Sequence, residues 1–177
     1  MNDALKEWVN GGGRIIAIEN AMALMAKNDW GLKLKTSDDK KVEKKDKDDY
    51  QVLRRYEDRE RDALPNFIPG SIYKAELDNS HPLAFGYPNY YYTLKQDDNV
   101  YEFIKESGWN VGIIKKDAQV AGFVGSKLKE KLKDGLLFGV QDMGRGNVIY
   151  LADNPMFRSF WENGKLLFCN AVFLVGQ

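Results

Sequence analysis

Glu19 and Asn20 stand where the chain could do chemistry. They close the stretch Gly11-Gly12-Gly13-Arg14-Ile15-Ile16-Ala17-Ile18-Glu19-Asn20-Ala21-Met22. A glycine run, a short apolar run and an immediate helical pattern outline a strand that feeds a helix through a tight turn. In many α/β enzymes such a turn lifts a Ser or Cys nucleophile above the sheet edge; here it carries a carboxylate and an amide. A carboxylate at that point can bind a ligand at the C-terminal edge of the strand, or it can sit against the positive end of the helix dipole. Both roles are open at the level of sequence.

Three other positions carry reactive groups. His81 is the only histidine and follows Asp78-Asn79-Ser80, a turn in which Asp78 can accept bonds from the backbone after it. His81 precedes Pro82 and is therefore expected to be extended. Arg158, after Asn154-Pro155-Met156-Phe157, can hold a carboxylate bidentately or make an ordinary ion pair. Cys169 is the only cysteine and lies in an apolar run, Leu166 to Phe173, so a buried structural thiol is expected. Glu19, Asn20, Asp78, His81 and Arg158 are the candidate ligand-binding residues, and none of them is assigned a catalytic role. Tyr90, Tyr91, Tyr92 and Trp109 form an aromatic set that suits either core packing or a sugar- or peptide-binding surface.

Composition removes several classes of function. One Cys permits no intrachain disulfide, and one His with no H-x-x-E pattern makes a zinc hydrolase a poor fit. Lys plus Arg equals Asp plus Glu at 26 each, without the basic excess of a nucleic-acid binder. No apolar run approaches the roughly 20 residues of a membrane span, and the first residues lack the pattern of a signal peptide.

The elements that must position these residues follow from periodicity. Leu5, Trp8 and Val9 share one face of a helix over residues 2–10, with Gly11 ending it in a left-handed conformation. Arg14 to Ile18 reads as a strand covered on both faces, and the order helix, strand, helix suggests a parallel sheet. Residues 35–49 carry six lysines, six acids and a single Val, too little apolar surface to offset ordering entropy. This segment is expected to be a mobile charged insertion or, alternatively, a solvated helix. Ser71–Leu77 alternates as a half-buried strand does. Further strands are expected at 90–94, 111–114, 136–140 and 147–151, a basic helix at 124–134, a helix opening at Pro155 with Phe157, Phe160 and Trp161 on its apolar face, and a final buried element at 166–175 that periodicity reads as helix or strand, with helix favoured. The chain reads as one domain over 1–177. It begins with a helix rather than the opening strand of a doubly wound sheet, so an α/β domain lacking its opening strands is expected.

Three strings resemble a known family: LKEWVNGGGRIIAIENAMA, IPGSIYKAELDNSHPLAFGYPNYYYTLK and GRGNVIYLADNPMFRSFWENGKLLFCNAVF. They look like the C-terminal class I glutamine-amidotransferase-like domain of bacterial zinc carboxypeptidases. The resemblance implies a flavodoxin-like open sheet with flanking helices. It places Glu19 at the position of the amidotransferase Cys, and His81 lacks the His-x-Glu pattern of that chemistry. The expectation is an accessory domain that docks on a preceding peptidase domain or helps to hold a peptide substrate. Zinc would be held only in that other domain, in a periplasmic or secreted protein. The alternatives are a free-standing sugar- or peptide-binding module, or a divergent hydrolase using Glu19, His81 and Asp78.

Overall fold

The computed structural model describes residues 2–36, 53 and 55–176. Of the segment expected to be a charged insertion, Lys35 and Thr36 are described, and the rest lies outside the described residues.

Helix α1 (Asn2–Asn10) leads into β1 (Arg14–Ile18) and α2 (Asn20–Lys27). Gly12, not Gly11, takes the left-handed conformation after α1, at φ 115°, where a side chain would be strained. Of the expected inner face of α1 only Val9 is buried; Leu5 and Trp8 are exposed. Short helical turns and α3 (Arg59–Ala63) precede β2 (Ser71–Leu77). Then come β3 (Tyr90–Lys95), β4 (Gly108–Ile114), the two-residue β5 (Val120–Ala121), α4 (Ser126–Leu132), β6 (Gly135–Met143), β7 (Gly146–Leu151) and α5 (Glu162–Phe173). In β2 burial alternates residue by residue, as the period of two requires.

The sheet order is β1-β7-β6-β4-β2-β3, with β5 paired to β2. Only β1 and β7 are parallel; every other pairing is antiparallel. This corrects the expected parallel sheet. The helix–strand–helix order at the front is local, and the remaining strands are joined largely by hairpins and loops, which make antiparallel neighbours. The domain is α/β with flanking helices, and β1 is a terminal strand of the sheet among the described residues.

The sheet is also curled. Asp153, just past β7, and Lys95, ending β3, belong to strands four steps apart in the order. In a flat sheet four steps span about 19 Å, yet Lys95 Nζ lies 3.1 Å from an Asp153 carboxylate oxygen. Tyr91 of β3 likewise meets Phe138 of β6, edge to face at 5.2 Å. The inward positions of β3 (Tyr91, Thr93 and Lys95) are thereby brought over β6 and β7, and all three are buried.

At the C-terminal end no α-helix opens at Pro155, and the final helix α5 begins at Glu162, ahead of the expected Leu166. Asn154 Oδ1 accepts the Met156 amide in a tight turn, and Arg158 and Ser159 both have positive φ, which interrupts any helix opened by Pro155. Phe157 and Phe160 therefore make no helical face; they pack edge to face, 5.8 Å between centroids. Gly164, Leu167, Asn170 and Ala171 form the inner face of α5. That spacing turns Cys169 outward, and the thiol is exposed, contrary to the expected burial.

Candidate functional site

The turn between β1 and α2 is an elbow with Glu19 at its apex. The Glu19 amide donates to the Leu151 carbonyl at 3.0 Å, so pairing with β7 continues to the last residue before the helix. The Glu19 carbonyl accepts from Ala23 at 3.2 Å and opens α2. Between these constraints Glu19 is held at φ 50°, ψ −115°, a conformation that costs a residue with a side chain about 1–3 kcal/mol. Its carboxylate makes no capping hydrogen bond to the helix. The capping role open at the level of sequence is therefore not realised as a bond. Asn20 follows as the first residue of α2 and is exposed.

Strand directions decide what Glu19 faces. β1, β7, β4 and β3 run the same way, because each antiparallel step along the order reverses direction. Their C-terminal ends share one edge of the sheet, which carries Glu19, Asp153 and Lys95. Lys95 is 1% exposed and Asp153 5% exposed. Lys95 Nζ also contacts Asp97, and the Thr93 hydroxyl donates to Asp153 Oδ2 at 2.5 Å. Two tyrosines complete the cluster. Tyr73 lies directly opposite Thr93 in the β2–β3 register, and Tyr101 is bridged to β6. Both are buried, and among the described residues both hydroxyls lack a hydrogen-bond partner. Buried hydroxyls are ordinarily satisfied, so two orphans beside one charge cluster set this place apart.

The electrostatics follow from burial. Burial alone would lower the Lys95 ammonium, but Asp153 and Asp97 outweigh it and keep the group firmly charged. Burial raises the Asp153 carboxyl, while Lys95 and the Thr93 hydroxyl pull it back. Burial, then Asp97 and Asp153, raise the Glu19 carboxyl, and Lys95 opposes them. Burial also raises the hydroxyls of Tyr73, which feels Lys95, and of Tyr101, which feels Asp97 and Asp153. Among the described residues, Asp97 and Asp153 share the Lys95 ammonium, and Lys131 Nζ donates to the neighbouring Asp98 carbonyl at 2.8 Å. Among the described residues, no group of three or more His, Cys, Asp or Glu side chains is arranged to hold a metal ion.

The other candidates from sequence divide between two edges. Arg158 lies in the loop after β7, on the Glu19 side, and its guanidinium sits over its neighbour Phe157 at 5.2 Å. Asp78 and His81 follow the end of β2, which runs the other way, and so occupy the opposite edge. His81 neighbours Trp109 at the start of β4, 6.3 Å between ring centroids, and feels Asp142 at the end of β6. Its Nδ1 accepts the Leu83 amide at 3.1 Å and caps the turn Pro82–Ala84, while burial lowers its pKa against the pull of Asp78 and Asp142. Asp78 accepts both the amide and the hydroxyl of Ser80. The aromatic set divides too. Tyr91 is core, Tyr90 and Tyr92 share the outer face of β3 with their rings 5.7 Å apart, and Trp109 is exposed at the far edge.

Lys95, Thr93, Asp97, Asp153, Tyr73 and Tyr101 were not candidates from sequence. One signal was available for part of this set: residues 91, 93 and 95 alternate onto one face of a strand, so a buried Lys95 could be suspected. Nothing local links it to Asp153.

No protein-family model matches the chain, and no curated protein matches it. Among solved structures it is similar to a ThuA-like protein from Bacteroides uniformis, at 13% identity and a TM-score of 0.47, over 96% of this chain and 61% of that one. The chain thus spans about three-fifths of that protein's length. Likeness at this level assigns no family. The expected kinship with zinc carboxypeptidases is contradicted, because no carboxypeptidase or amidotransferase family is matched and the structural neighbour is described as ThuA-like. The expectations of a peptidase partner, of zinc held by that partner and of export rested on that resemblance alone. No helix among the described residues is long and apolar enough to cross a membrane.

Proposed function

We propose that this chain is a binding domain whose ligand site is the sheet edge formed by the Glu19 elbow and the Lys95–Asp153 cluster. The elbow is of the kind that presents a nucleophile in amidotransferase-like folds, and here it presents a binding carboxylate. One observation carries the reading: Glu19 keeps a strained backbone without making the capping bond that would account for a carboxylate there. Strain retained at an elbow is expected where the side chain has a task. Glutaminase chemistry is disfavoured, since the elbow has no Cys and the lone His lies on the opposite edge. The same separation disfavours a hydrolase built on Glu19 with His81, because a base must reach its partner directly or through one water.

The test is amide chemical-shift mapping on the full chain with glucose, sodium acetate and n-butylammonium chloride as probes of three charge classes. Saturable shifts clustered at Glu19, Lys95 and Asp153 with any one of them support the site. No response to all three at that edge, or glutamine hydrolysis abolished by Glu19→Ala, overturns it.

A further inference from the structure

A cavity of about 240 Å³ opens between residues 31–33 and the loop 102–106, with Gln141 of β6 also lining it. Gln141 pairs with Val148 near the start of β7, so this cavity lies at the opposite end of the sheet from Glu19. Backbone and side-chain bonds fix its walls. The Glu102 amide donates to the Lys33 carbonyl at 2.9 Å, and the Asp142 amide donates to the Ser107 carbonyl at 2.7 Å. Asn110 holds Ile104 from both sides, with Oδ1 accepting its amide at 2.8 Å and Nδ2 donating to its carbonyl at 2.9 Å. Gln141 is held as well. The buried Tyr150 hydroxyl lies 3.0 Å from Gln141 Oε1 and 3.1 Å from the Trp30 carbonyl oxygen, which anchors one end of the amide. The other end lies against Gly31, at φ 82°, where a Cβ would come within 2.3 Å of the amide nitrogen. Walls held in this way lose little freedom when a ligand arrives.

Two lysines and two glutamates line the cavity, so its formal charge is zero. Lys105 Nζ engages Glu102 at 3.6 Å. Lys33 and Glu106 form no ion pair among the described residues, although one cavity holds both. We infer that this cavity binds a free α-amino acid with an aliphatic side chain, its carboxylate at Lys33, its ammonium at Glu106 and its side chain on the ring of Phe103. A carboxylate only accepts hydrogen bonds and an ammonium only donates them, which matches a lysine and a glutamate presented together. The Gln141 amide adds a polar group beside them, and Phe103, 38% exposed, offers an apolar wall. A ligand carrying one charge leaves either Lys33 or Glu106 unmatched. The volume falls below the roughly 300 Å³ at which clefts for drug-sized ligands begin, and it suits a molecule of this size. The site is independent of the one at the Glu19 edge, so either can fail alone.

The experiment is titration of the full-length protein with L-leucine at constant ionic strength, followed by amide shifts. In parallel run its two halves, isoamylammonium chloride, which lacks the carboxylate, and sodium 4-methylpentanoate, which lacks the ammonium. Saturable shifts at Gly31, Phe103 and Gln141 are expected with leucine. Each half should bind about tenfold more weakly, as should leucine to Lys33→Gln or to Glu106→Gln, the usual effect of removing a hydrogen bond to a charged group. Lys33 and Glu106 are both exposed, so neither change disturbs packing. If either half binds as tightly as leucine, the zwitterion is overturned. If leucine binds both variants as it binds wild type, the assigned charges are overturned. If leucine up to its solubility limit shifts none of these residues, the site itself falls, whatever occurs at Glu19.

Discussion

Replacing Glu19 with glycine and, separately, with alanine isolates the strain at the elbow. Both variants remove the carboxylate and its unfavourable burial. Both keep the backbone bonds from Glu19 to Leu151 and from Ala23 to Glu19. They differ in whether a Cβ must occupy φ 50°, ψ −115°. Strain in such a region costs about 1–3 kcal/mol, and glycine gives back about 0.5–1 kcal/mol through the greater freedom of the unfolded chain. Glu19→Gly should therefore be the more stable of the two by about 1 kcal/mol. In a domain of this length that difference moves Tm by roughly 2–4 °C. Urea unfolding of both variants, with equal m-values so that midpoints compare directly, measures it. An alanine variant as stable as the glycine variant, or more so, would refute the claim that the elbow is strained, and with it the argument that the carboxylate is kept there for a task. Wild type is expected below Glu19→Gly at neutral pH.

The remaining predictions concern charge, packing and exposure. The Glu19 carboxyl titrates higher in the folded than in the unfolded chain, so between those two pKa values the folded state binds more protons and stability falls as pH rises. Glu19→Gln should accordingly be more stable than wild type at pH 7, with the advantage vanishing below about pH 4, where the unfolded carboxyl is also protonated; denaturation at a series of pH values reads this directly. Lys95→Ala strands Asp153 as a buried charge and should cost about 3–5 kcal/mol, whereas Lys95→Met combined with Asp153→Asn should cost less than the sum of the single changes; a double-mutant cycle by chemical denaturation decides. Gly164→Ala places a Cβ about 1.7 Å from the Pro155 carbonyl oxygen, so it should destabilise by about 1–3 kcal/mol and shift the amide resonances of the loop bearing Arg158. Cys169, exposed on the outer face of α5, should react with a thiol reagent in the native protein at nearly the rate seen in denaturant; a native rate slower by a hundredfold would contradict that exposure.

Legibility in the sequence followed the range of the interactions. Ser71–Leu77 could be read because its alternation is imposed by the strand's own period, and β1 with α2 because a glycine run, an apolar run and a helical pattern are contiguous. The final element at 166–175 was read as helix over strand, whereas the helix expected at Pro155 does not form, since left-handed residues at Arg158 and Ser159 leave no mark in side-chain pattern. Cys169 was misread for a related reason: an apolar run on a helix buries only the face that finds a partner, and here that face holds Leu167, Asn170 and Ala171.

By itself the sequence determined most of the strands, the elbow and the absence of a Ser or Cys at its apex, because these depend on neighbours a few residues apart. The tertiary structure alone decided which groups share an edge. Strand direction put Glu19 and His81 at opposite ends of the sheet, and the curl brought Thr93 within hydrogen-bond reach of Asp153, sixty residues away. Strand pairing and curvature are properties of the whole sheet, and a buried charge cluster assembled from strands four steps apart has no local signature.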